Sequence, residues 1–111
     1  MIINFKTNKL EKIFNSEKNL VRVYGSMNAA KIKRRMDFLK AAPSLEDVPQ
    51  APPFHRHPLH QNREGQFAVD LKHPYRLVLE PNHEPLPVKA NGDLDLTQVT
   101  AITILGVEDY H

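Results

Sequence analysis

The 111-residue chain contains no cysteine. That absence removes disulfide frameworks, thiol catalysis and thiolate zinc sites together, leaving His, Asp and Glu as the available metal ligands. Long apolar runs are missing too, since no stretch approaches the roughly 18 residues that a membrane-spanning helix needs. The opening segment MIINFKTNKLEKIF lacks a charged leader, a long apolar stretch and a small-residue cleavage site, so it does not read as a secretory signal. The expected setting is the cytoplasm, with no membrane as partner. There is also no phosphate-cradling glycine loop, no G-x-S-x-G elbow and no H-E-x-x-H pair, and the chemistries built on those motifs drop out.

What is present describes a globular domain: 41% hydrophobic and 25% charged residues, in a length that supports one modest core over residues 1–111. The formal net charge of +2 conceals an uneven distribution. Up to Arg76 the chain carries 14 basic against 7 acidic side chains, whereas beyond it Lys89 stands alone against Glu80, Glu84, Asp93, Asp95, Glu108 and Asp109. A basic field of that kind favours a polyanionic partner such as nucleic acid, although it is also compatible with a merely well-solvated surface.

Periodicity divides the chain in two. Residues 1–5 are β-prone, and Asn8 is a candidate N-cap for a helix carrying Leu10, Ile13 and Phe14 at helical spacing. Ser16 offers a second cap before Leu20, Val21 and Tyr24, and Gly25 marks a break. A longer helix over 27–42 lines Ala29, Ile32, Met36 and Leu39 along one face, with Lys31, Arg34 and Arg35 turned away, and Pro43 ends it. The proline-rich stretch that follows reads as a loop with one helical turn at 44–48. Strands are expected at 54–59, 67–72 and 75–80, the first turning at 61–65. Residues 81–98 form an excursion with a possible small hairpin at Asn91-Gly92-Asp93, before a β-branched last strand over 99–107. Helices followed by consecutive strands imply an α+β domain: two N-terminal helices packed on a small curved antiparallel sheet.

Metal-free cleavage of an RNA phosphodiester needs a base for the 2′-hydroxyl, an acid for the departing 5′-oxygen and cations for the phosphorane. Those residue types concentrate in FHRHPLHQNREG, with His55, Arg56, His57, His60 and Arg63, and in the terminal Asp109-Tyr110-His111. Arg76 would project from a strand between them, on the face opposite Tyr75 and Leu77. Each group also has a plainer reading, as surface polar residues, a frayed tail, or arginines paired with Asp70 and Glu64. A zinc or nickel site is the sharper competitor: His55 and His57 share a strand face and could recruit His60 or His73 with Asp70, though the sequence shows no closed four-ligand pattern.

In sequence order, His57-Pro58-Leu59, Arg63-Glu64-Gly65-Gln66-Phe67, Tyr75-Arg76-Leu77-Val78 and Asp109-Tyr110-His111 resemble the HigB branch of the RelE/ParE toxins, the plasmid maintenance killer type. Leu10 to Phe14, and the Tyr24-Gly25 break before a basic helix, fit the same family's beginning. The resemblance implies a microbial-RNase-like fold and ribosome-dependent cleavage of mRNA without a cofactor or metal. It also implies silencing by a HigA-like, helix-turn-helix antitoxin. By the same resemblance His57, Asp109 and His111 share the acid–base work, Tyr110 stacks on a base, Arg76 stabilises the phosphorane, and Arg56, His60 and Arg63 contact RNA. His60 stands where the family usually has lysine, which makes that cation conditional on protonation. The 81–98 segment is longer than the family's usual turn. Two other functions stay open at this point: a non-catalytic module that binds RNA or antitoxin, and gyrase inhibition as in ParE relatives.

Overall fold

A computed structural model describes residues 1–109. In chain order it has strand β1 (Ile2–Phe5), helices α1 (Asn8–Phe14) and α2 (Glu17–Ala41), then strands β2 (His57–Pro58), β3 (Phe67–Asp70), β4 (Tyr75–Pro81) and β5 (Ala101–Asp109). The helix boundaries follow from side-chain capping of otherwise unpaired N–H groups. Thr7 Oγ1 accepts from Leu10 N at 3.1 Å and Ser16 Oγ accepts from Asn19 N at 3.2 Å. The cap of α1 is thus Thr7, one residue before the expected Asn8. Gly25 breaks α2 as its sequence position indicated, with φ 83° and ψ 162°, a region open essentially to glycine alone.

The five strands form one sheet in the order β1-β5-β4-β3-β2. The α+β architecture is the expected one, and β2 through β5 pair antiparallel. β1 departs from the all-antiparallel expectation: it pairs parallel with β5, Ile3 opposite Ile102. Hairpin-type returns enforce antiparallel neighbours, whereas β1 reaches the sheet edge through both helices and is under no such constraint. β2 is much shorter than the 54–59 stretch that its composition suggested, because residues 49–56 fold as a loop with His55 N bonded to Ala51 O and Arg56 N to Pro49 O. The helical turn expected at 44–48 forms as a single 3-10 turn, Leu45–Asp47, closed by Ser44 and Asp47. The hairpin within 81–98 is present as a Val88–Leu94 bridge around Gly92.

Strand alternation sends Phe67, Val69, Leu77, Leu79, Ile102 and Ile104 to one face, where they bury against Leu20, Ala29, Ile32, Met36 and Leu39 of α2. Neither α1 nor α2 covers the opposite face, which carries only a small apolar cluster of Leu59, Ala68 and Val78 with Leu105 beside it. Its polar residues sit in register rows: His57 opposite Ala68, and Asp70, Arg76 and Glu108 side by side on β3, β4 and β5. No helix among the described residues is long and apolar enough to cross a membrane.

Candidate functional site

The helix-free face of the sheet carries the charged groups. Because Leu77 and Val107 point into the core, their neighbours Arg76 and Glu108 must point out, directly opposite one another. Arg63 reaches the same carboxylate from the 3-10 turn Gln61–Arg63: its two terminal nitrogens donate to the two oxygens of Glu108 in a bidentate pair, one contact measuring 2.6 Å, and its Nε donates to Gln66 Oε1 at 2.9 Å. Arg76 Nη2 lies 3.7 Å from Glu108 Oε1, so one carboxylate organises two guanidinium groups. Hydrogen bonds from Arg63, then the charges of Arg63 and Arg76, hold the Glu108 carboxyl below its usual range against the opposing effect of burial. The sequence reading offered Asp70 and Glu64 as partners for these arginines. For Arg63, Glu108 takes that place, since the twisted sheet and the 61–65 turn bring β5, not the adjacent Glu64, under its fork.

Two rows along lies the histidine pair. His57 is held in the β2–β3 ladder, and its Nδ1 sits 2.7 Å from the carbonyl oxygen of His55. A carbonyl only accepts, so the ring proton is on Nδ1 and Nε2 is the basic nitrogen of the ring. His55 has a positive φ of 50°, a conformation histidine tolerates better than most residues, and its ring stacks on that of His57 with centroids 4.4 Å apart. Its Nδ1 is 3.0 Å from Asp70 Oδ2.

The residues singled out from the sequence divide accordingly. His57, Arg63 and Arg76 share the outer face, and His60 is exposed at the start of the turn that carries Arg63. Arg56 does not belong with them. Flanked by the outward-facing His55 and His57, it turns inward, is buried, and donates from Nη1 to the Leu45 carbonyl oxygen at 2.8 Å, so its guanidinium serves the fold. Asp109 pairs with Tyr75, two residues beyond Val107, and alternation puts it on the opposite face from Arg76. Tyr110 and His111, expected to complete the acid–base set, lie outside the described residues.

Arg35, expected on the solvent side of α2, is buried as well: Nε donates to the Asp70 carbonyl oxygen at 2.9 Å, Nη2 to that of Pro53 at 3.3 Å, and the guanidinium lies over the Phe54 ring. Its spacing explains this, since position 35 is three residues after Ile32 and four before Leu39. Burial, reinforced by Arg34, lowers its pKa from the ordinary guanidinium value, while Asp70 opposes the change. Sequence reasoning assigned no role to Glu108. The available signal was its parity with Arg76, legible only once the strand pairing is known. A pocket of about 410 Å³ opens elsewhere, among Gln50, Arg56, Pro58, Phe67, Asp93, Leu94 and Leu96, and includes none of the outer-face residues. In comparison with known proteins, the chain matches no family model and no curated protein.

Proposed function

We propose that this chain is the toxin of a type II toxin-antitoxin system, an endoribonuclease that cuts mRNA on the ribosome in the cytoplasm and is silenced by a helix-turn-helix antitoxin. The observation that carries the reading is the grouping of His57, Arg63 and Arg76 on a helix-free sheet face of β2–β5. Support comes also from the order of the H-P-L, basic-turn, Tyr-Arg and D-Y-H segments, which resembles the HigB toxins.

In this reaction the 2′-oxygen attacks the adjacent phosphorus, the bond to the 5′-oxygen breaks, and a cyclic phosphate and a 5′-hydroxyl result. The basic Nε2 of His57 suits the transfer of one of the two protons involved. Arg76 supplies a cation for the phosphorane, and Arg63 is poised to exchange its Glu108 partner for a phosphate of similar fork-matching geometry. Tyr110 and His111 are assigned acid–base and stacking roles through the resemblance alone; the acid–base role that the resemblance gives Asp109 does not fit its place on the face opposite Arg76.

Translation-coupled mRNA cleavage tests this directly. The wild type should cut, His57→Ala and His111→Ala should each lose on the order of 10²–10⁴ in rate, and Arg76→Ala about 10²–10³. Undiminished cutting by the histidine variants would remove the assigned roles. A wild type that binds antitoxin or RNA but neither cuts nor arrests growth would leave a binding module in place of an enzyme, and DNA breaks without mRNA loss would point to gyrase.

A further inference from the structure

Beside His57 stand two groups that the cleavage reading does not use. One ligating atom from each of His55, His57 and Asp70 lies within 4.8 Å of the other two. The separation of His55 Nδ1 from Asp70 Oδ2, 3.0 Å, is close to the edge of about 3.3 Å spanned by two ligands each about 2.0 Å from a tetrahedral ion. His57 is already arranged as ligating histidines are, with one ring nitrogen donating to a backbone carbonyl, which fixes the tautomer and makes Nε2 the ligating atom. The scaffold is firm on both sides: the Asp70 backbone is tied to Arg35 through its carbonyl and to Phe54 through its N–H, and His57 is locked by ladder pairing to Ala68.

We propose that His55, His57 and Asp70 bind one divalent transition-metal ion of the zinc or nickel class, and that the bound ion withdraws His57 from proton transfer. Two imidazoles and one carboxylate are a donor set for such borderline ions; magnesium and calcium prefer oxygen alone. The ion takes the place of the proton between His55 Nδ1 and Asp70 Oδ2, that proton moving to the other nitrogen of the His55 ring, and water fills the remaining position. Arg76 opposite Asp70 and Arg35 behind it oppose a dication, which makes the site reversible rather than a permanent structural centre. The second half of the proposal rests on the nuclease reading: the Nε2 lone pair that would take a substrate proton is the one the ion occupies, so the metal acts as an inhibitor of the enzyme and not as its cofactor.

The binding half is measured without RNA. The full chain is titrated with Zn²⁺ in competition with a chromophoric chelator, and one ion per chain is expected at this site. His55→Asn, His57→Ala and Asp70→Ala should each weaken binding by about 10–100-fold, whereas His73→Ala in the β3–β4 turn should leave it unchanged. Asparagine also tolerates the positive φ of residue 55, so His55→Asn separates loss of the ligand from loss of the fold, which circular dichroism checks. No binding by the wild type, or equal loss in His73→Ala, overturns the site. In the cleavage assay Zn²⁺ should suppress the wild type and spare His55→Asn. Equal suppression of both overturns the inhibitory role, and a wild type that binds Zn²⁺ but never cuts RNA defeats the nuclease reading and the inhibition built on it, with the site standing.

Discussion

Arginine changes meaning with its neighbours in this protein. Arg56 and Arg35 are cations taken out of water to supply donors to carbonyls at the ends of loops, the Leu45 oxygen for one and the Pro53 and Asp70 oxygens for the other. A buried carbonyl deprived of its donor carries its desolvation penalty uncompensated, so Arg56→Met should lower stability by about 1–3 kcal/mol in chemical denaturation. Under the proposed nuclease function, the salt dependence of RNA binding should be unaltered by that change, since the buried guanidinium makes no phosphate contact. Arg63 differs, being about a third exposed and paired with Glu108. Because the folded Glu108 carboxyl is held below its unfolded value, the stabilisation from the pair is complete above the ordinary carboxylate range and is lost as pH falls through the depressed folded value. With the carboxylate about a third exposed, the contribution is only about 1 kcal/mol after screening. Glu108→Gln should therefore be less stable than wild type at neutral pH, and the difference should shrink as pH falls below the ordinary carboxylate range, as read from denaturant midpoints.

At the level of elements, the decisive positions are where regular structure stops. Gly25 turns the chain between two helical segments of α2 so that Leu20 on one side and Ala29 and Ile32 on the other meet the same core. Its dihedral angles leave no room for an ordinary residue, and Gly25→Ala should cost about 1–3 kcal/mol although no atom lies within 4 Å of the added carbon. A thermal melt would show this as a lowered midpoint; an unchanged midpoint would mean that the helix straightens without loss. In β5 the register shift opposite Val78 and Leu79 inserts Leu105 into the small outer cluster and sets the parity of everything after it. That one extra residue is why Glu108 faces Arg76 and Asp109 does not.

Taken whole, the molecule is a sheet with one dry face and one polar face. The dry face is continuous from α2 to β5, so its residues are expected to unfold together. Leu79→Ala, at a fully buried central position, should cost about 2–5 kcal/mol and shift a single cooperative transition without splitting it. Two separate transitions would mean that the 111 residues are not one folding unit. The polar face presents paired charges: Glu108 offsets Arg63 and Arg76, and Asp70 meets His55, so among the described residues the excess of basic residues before Arg76 does not appear there as an unrelieved cationic patch.

Much of this was legible in the residues alone. Helical spacing, the Ser16 cap, the Gly25 break, the alternation of β3 and β4 and the outward direction of Arg76 are local properties, set by sterics and by the orphan N–H groups of helix ends within a few residues of each position. The α+β class followed from their order. Chain-distant partners were not legible: the parallel β1–β5 pairing, the inward turn of Arg35 and Arg56, the capture of Arg63 by Glu108 and the meeting of His55 with Asp70 all join segments separated by loops. Local preference is decided by the covalent neighbourhood of a residue. Which carboxylate meets which cation is decided by packing, because register and burial follow from closing one core around the whole chain.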